Sequence, residues 1–226
     1  MMKGRMVSFQ NDGQTHRGYL CPAATPAPGV VVVQEWWGLV DHVKAICDRF
    51  AAEGFTALAP DLYEGVEAKS PDEAAKMLMA LNIAETEKIL RSAIRALLGV
   101  PECTSEKAAV VGFCMGGQLA LFAAATSPDL VSSCVDFYGA HPKANPPLEN
   151  LQAPLLGIFA EVDGYITPEF IEDLDRRLTG LGKPHEFHTY PGTEHGFFND
   201  ETDHHHPEAA RDSWRRTLEF LRRNVV

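Results

Sequence analysis

Two hydrophobic periods alternate along this chain. Val30-Val31-Val32-Val33 is a continuous β-branched run, the pattern of a strand buried on both faces. Phe55 to Ala59, Lys107 to Phe113, Val131 to Tyr138, Leu155 to Ala160 and Glu186 to Tyr190 read as further strands. Between them the apolar spacing widens to three and four. Asp41 to Glu53 places Val43, Ile46, Cys47 and Phe50 on one helical face, and Gly54 ends it. Ser70-Pro71-Asp72-Glu73 is a helix start, with serine to cap, proline at the first helical position and glutamate to complete a capping box. A second helix follows with Leu90, Ile94 and Leu97 on its stripe. Gly116 to Ala125, Phe170 to Leu181 and Glu208 to Arg223 complete the helices.

Near the amino terminus, Val7 to Gln10 and Arg17 to Cys21 flank Asn11-Asp12-Gly13, which predicts a hairpin. Pro22 to Gly29 is a connecting loop. Strands alternating with helices imply an α/β fold with a mostly parallel central sheet and helices on both faces. No composition break or internal repeat divides residues 1–226, so one domain is expected. Ligands in such sheets bind beyond the carboxyl ends of the strands. Residues that follow strands are therefore the first place to look for chemistry.

Composition narrows the class. The net charge of −11 argues against a basic nucleic-acid footprint. The amino-terminal stretch is too poor in apolar residues for a signal peptide, and no run reaches the roughly 20 residues of a membrane span. Five scattered cysteines without a CxxC pair fit neither a disulfide framework nor a zinc ribbon. A reducing cytoplasm, no membrane partner and no metal are the expectations. The run His204-His205-His206 reads as a solvated loop.

The chemistry is concentrated after strands. Gly112-Phe113-Cys114-Met115-Gly116-Gly117 has the form of a nucleophile elbow with cysteine in the serine position. Asp163 follows the strand ending at Ala160, and His195 follows the last predicted strand. Nucleophile, acid, histidine is the chain order of the α/β-hydrolase fold. Cys114 supplies a thiolate, His195 moves its proton, and Asp163 fixes the imidazole tautomer. Taken alone, Asp163-Gly164 is a turn and His195 a polar loop residue; together with the elbow they specify an enzyme. Glu35 ends the strand Val30 to Val33 and adds a second carboxylate at the same rim. The backbone N–H groups of Trp36 and Met115 are candidates for an oxyanion hole.

These residues resemble the dienelactone hydrolases (carboxymethylenebutenolidases). The resemblance rests on Gln34-Glu35-Trp36-Trp37-Gly38, Pro60-Asp61-Leu62-Tyr63, the Gly112–Gly117 elbow, Asp163 and Glu194-His195-Gly196-Phe197, and it covers essentially the whole chain. It implies an α/β-hydrolase fold and a cofactor-free carboxylic ester hydrolase acting on a small-molecule lactone or activated ester. Cys114, Asp163 and His195 would form the triad, and Glu35 would help generate the thiolate. The family's carboxylate-binding arginines lie early in the insert after Asp-Leu-Tyr and four residues past the histidine. Here the latter position is Asn199, and the insert from Pro71 has no arginine before Arg91. Trp37, Lys76 and Asn199 are the expected substrate contacts, Lys76 offering a point charge rather than a fork. A monomer or weak homodimer is expected. Two other activities remain open at this level: a general esterase or thioesterase for small uncharged acyl groups, and a non-catalytic redox-sensing or binding protein on the same scaffold.

Overall fold

The computed structural model describes residues 4–225; the first three residues of the stretch read against a signal peptide lie outside them. An eight-stranded sheet forms the centre, in the order β1-β2-β4-β3-β5-β6-β7-β8. These are β1 Arg5–Asn11, β2 Gln14–Cys21, β3 Gly29–Val33, β4 Thr56–Pro60, β5 Ala108–Phe113, β6 Val131–Phe137, β7 Leu155–Val162 and β8 His185–Glu194. β2 pairs antiparallel with both β1 and β4, and every pair from β4 to β8 is parallel. The expected hairpin forms with Asn11 opposite Gln14. Asp12 and Gly13 both adopt positive φ, as a two-residue turn between twisted strands requires.

The described residues form six α-helices: α1 Asp41–Ala52, α2 Pro71–Ala80, α3 Ile83–Leu98, α4 Met115–Thr126, α5 Pro168–Gly180 and α6 Pro207–Asn224. The two-residue period of β3 assigns its sides. Val31 and Val33 belong to the core that α3, α4 and α5 cover, whereas Val30 and Val32 belong to the core that α1 and α6 cover. All five β3 residues are buried, as the unbroken valine run predicts. No helix among the described residues is long and apolar enough to cross a membrane.

Capping explains where two helices begin. Ser70 Oγ accepts the Glu73 N–H at 3.3 Å, with Pro71 in the first turn of α2. Glu73 reaches back to accept the Lys69 N–H at 2.7 Å, one residue beyond the usual capping-box partner. Thr167-Pro168 repeats the device: Thr167 Oγ1 accepts the Phe170 N–H at 3.3 Å. Helix α5 therefore starts two residues before the predicted Phe170. Strand β8 also outruns its predicted end at Tyr190. Pro191 and Gly192 suit a central strand poorly, but β8 is an edge strand and tolerates both, with Glu194 opposite Val162 past a bulge.

The connections place the functional loops. The chain leaves β3 for β4 on one side and returns through β5 on the other, so the winding reverses between β3 and β5. Their carboxyl ends are adjacent, with Val33 in register with Gly112. Glu35 and Cys114 emerge together at that switch point.

Candidate active site

Cys114 occupies the turn from β5 into α4 with φ +54° and ψ −124°, a conformation that costs a non-glycine residue of order 1–3 kcal/mol. Its surroundings hold it there. The Cys114 N–H donates to Phe137 O at 3.0 Å, and its carbonyl accepts Gly117 and Ala140 N–H at 2.9 and 3.2 Å. The two flanking glycines are required by close backbone approach. A Cβ on Gly112 would stand 1.9 Å from Gly116 O, and one on Gly116 would stand 2.3 Å from Val33 O. The strand-to-helix turn can be this tight only with hydrogen at both positions.

The predicted histidine and acid meet. Asp163 Oδ2 lies 2.8 Å from His195 Nδ1, and Asp163 Oδ1 accepts the N–H groups of Tyr165 and Ile166 at 2.7 and 3.0 Å. Burial works against the charge on Asp163, but its bonds to His195 and to those amides prevail and lower its pKa. Burial also opposes a charged His195, yet Asp163 and the neighbouring Cys114 outweigh it and push the imidazole up to about 10. The other ring nitrogen, Nε2, is buried without a hydrogen bond of normal length among the described residues, on a ring close enough to Cys114 to feel its charge. Two tyrosines bracket the imidazole, Tyr138 at 5.0 Å and Tyr165 at 5.1 Å between ring centroids.

Glu35 is buried at the same rim, and Asn199 Nδ2 donates to its Oε2 at 3.0 Å. Burial raises the Glu35 pKa; His42, the Asn199 bond and His195 partly offset it. His42 is itself buried, with Nδ1 3.3 Å from Asp200 Oδ1. The sequence offered no partner for His42; the turn that follows His195 supplies one. Tyr138 was likewise not singled out. Its positive φ of 41° at the end of β6 is a consequence of tertiary structure that no local motif announces.

A cavity of about 980 Å³ opens over Cys114 and His195. Glu35, Trp36, Trp37 and Asn199 line it. The tryptophan rings meet edge to face at 5.3 Å. Among the described residues, the Trp36 and Met115 N–H groups donate no hydrogen bond within the protein. Lys76 is a correction. Helix α2 turns Ala75, Leu78 and Met79 to the cavity, which leaves Lys76 exposed on another face, away from the lining. Asn199 does line the cavity, but its amide is committed to Glu35. In the histidine run, His204 pairs with Glu194 at 2.7 Å and His206 caps α6. No group of three His, Cys, Asp or Glu among the described residues is arranged to hold a metal ion.

A cysteine elbow at the switch point of a mostly parallel sheet, facing a histidine that follows the edge strand β8 and pairs with an acid that follows its neighbour β7, defines an α/β-hydrolase. Residues 17–225 match the dienelactone hydrolase family, and the chain belongs to it. Among its relatives, "Protein usf" of Aquifex pyrophilus is 34% identical across 97% of this chain and 98% of that protein. A "Putative carboxymethylenebutenolidase" of Aquifex aeolicus is 31% identical over the same shares. Among solved structures, a "Putative Dienelactone Hydrolase" from Klebsiella pneumoniae superposes with a TM-score of 0.87 at 26% identity, covering 97% of this chain and 98% of that one.

Proposed function

We propose that the protein is a cysteine-dependent hydrolase that opens a lactone or activated ester through an acyl-enzyme on Cys114. The observation that carries this reading is the 2.8 Å bond from His195 to buried Asp163, made on a ring that adjoins a thiol in a strained elbow. Membership of the dienelactone hydrolase family supports the reaction class.

The steps follow from the geometry. His195 Nε2 takes the Cys114 proton, and Asp163 stabilises the resulting imidazolium. Glu35, held toward its protonated form by burial, lines the same cavity and is the second proton carrier of this reading. The thiolate attacks the carbonyl carbon, and the oxyanion accepts the unengaged N–H groups of Trp36 and Met115. Collapse breaks the carbon–oxygen bond. The leaving oxygen takes the proton from His195; in a lactone it stays attached to the acyl chain. His195 then removes a proton from water, the hydroxide attacks the thioester, and collapse returns the thiolate and a carboxylic acid.

Mass spectrometry after mixing with p-nitrophenyl acetate tests this. A 42 Da adduct on Cys114, and its loss in Cys114→Ala together with turnover, are expected from the acetyl mass. Undiminished hydrolysis by Cys114→Ala would overturn the mechanism.

A further inference from the structure

The cavity above Cys114 is lined by apolar side chains and by acids. Besides Cys114 and Tyr165, its charged or titratable lining consists of Glu35, Glu194, Asp203 and three histidines; neither lysine nor arginine is among the described residues that line it. The nearest basic side chain of the loop after β6, Lys143, is tied to the carbonyl of Met79 at the end of α2. With Glu194 engaged by His204, a carboxylate on a substrate would therefore find no fork of donors, and would meet the Asp203 carboxyl at the mouth.

The apolar side of the mouth is equally marked. Seven large apolar side chains are exposed among the described residues, and four of them line this one cavity: Met79 at 49%, Val162 at 60%, Tyr165 at 68% and Phe170 at 38%. Scattered single exposures are ordinary; a concentration around a catalytic thiol marks a surface made to be covered. Two elements supply it, α2 through Leu78 and Met79, and the turn and first residues of α5 through Tyr165 and Phe170.

The two walls differ in what they suit. His195 must deliver its proton to the leaving oxygen, so the leaving group lies toward the loop of His195. That loop is polar, with Glu194, Thr202, Asp203 and His204 at the mouth. The acyl chain is left with the apolar wall. The volume of about 980 Å³ leaves ample room beyond a two-carbon acyl group.

Resting on the hydrolase reading above, we propose that Leu78, Met79 and Phe170 form an acyl-chain subsite, and that the preferred substrates are esters or lactones whose acyl portion is extended, apolar and uncharged.

The test uses the wild-type chain with three p-nitrophenyl esters: acetate, hexanoate and the hexanoate analogue with an ω-carboxylate. Burial of four added methylenes, even in part, raises kcat/KM for hexanoate at least about tenfold over acetate. The ω-carboxylate lowers it at least about tenfold below hexanoate, and Asp203→Lys, on the exposed mouth, narrows that gap. Equal or better turnover of acetate, or equal turnover of the anionic and neutral six-carbon esters, would overturn the subsite. Absence of a Cys114 acyl adduct with all three esters would instead overturn the hydrolase reading. Phe170→Ala gives a second check, because the hexanoate-to-acetate ratio must fall if that ring contacts the chain; an unchanged ratio in both Phe170→Ala and Met79→Ala counts against the subsite.

Discussion

Asn199 donates its side-chain amide to Glu35 at 3.0 Å, joining two buried residues 164 positions apart. This bond ties the turn after His195 to the loop after β3, so the histidine and the second carboxylate are held in one arrangement. Glu35 is costly to ionise where it sits, and its raised pKa means the folded state binds its proton more tightly than the unfolded chain does. That contribution to stability is complete below the unfolded pKa and is lost as pH rises through the folded one. Glu35→Gln keeps a partner for Asn199 and removes the charge. It is expected to raise the urea midpoint at alkaline pH more than at acidic pH. Activity at neutral pH is expected to fall by about a hundredfold if Glu35 assists thiolate formation. Unchanged kcat/KM in a folded variant would remove Glu35 from the proton path.

Asp163→Asn leaves the shape of the His195 pocket but gives the ring a neutral partner. A loss of about 10²–10⁴ in kcat/KM for an activated ester is expected, with the near-ultraviolet circular dichroism retained. The pair also has a pH signature. His195 is raised to about 10, so its contribution to stability is complete below its ordinary pKa of about 6.5. It declines as pH climbs from there through about 10. The stability gap between wild type and Asp163→Asn, followed by urea unfolding from pH 6 to 11, is expected to close across that window. A gap independent of pH would contradict the ion pair.

Gly116→Ala tests the closeness of the elbow to its neighbouring strand. The new methyl would sit 2.3 Å from Val33 O and 2.5 Å from Gln34 O, both backbone atoms that cannot rotate away. Helix α4 would have to move off β3, and a destabilisation of about 3 kcal/mol or more is expected. The same substitution at Gly164, where a Cβ meets nothing within 4 Å, serves as the control and should be nearly neutral in thermal unfolding.

Asp136, buried near the end of β6, has no hydrogen-bond partner of good geometry among the described residues, and burial pushes its pKa up to about 7, the nearby Gly139 backbone opposing this only in part. Its carboxyl therefore contributes full stability below its unfolded pKa of about 3.9, and that contribution falls as pH rises through about 7. Asp136→Asn is expected to be more stable than wild type at pH 9 by roughly 2 kcal/mol, and little different at pH 4. Guanidinium unfolding at the two pH values decides it; an equal shift at both would mean that charge is not the cause.

The sheet and the chain order of the site were legible because both rest on local patterns. Four valines in a row have few uses other than a central strand, and Gly-x-Cys-x-Gly has steric demands that the 1.9 Å approach of Gly112 to Gly116 makes explicit. What sequence concealed was set by distance in the chain. His42 acquires Asp200, and Asn199 acquires Glu35, only when α1 and the loop after β8 are packed together. Lys76 shows the opposite error. It occupies the right segment, but helix α2 rotates it out of the cavity while Ala75 and Met79 turn in. Even the missed start of α5 had a local signal, since Thr167-Pro168 repeats the Ser70-Pro71 cap.

The register of Val33 with Gly112 brings Glu35 and Cys114 out of adjacent strands, while Met79 and Phe170 come from helices outside the sheet. The molecule thus separates a fixed reactor from an exchangeable mould. Segments 70–82 and 167–172 can be traded for others without disturbing a backbone contact of the elbow or the Tyr165 and Ile166 amides that hold Asp163, so diversification of this scaffold toward new carbonyl compounds has a ready place to act. Grafting either segment between relatives should transfer preference for an acyl group and leave the manner of bond cleavage untouched.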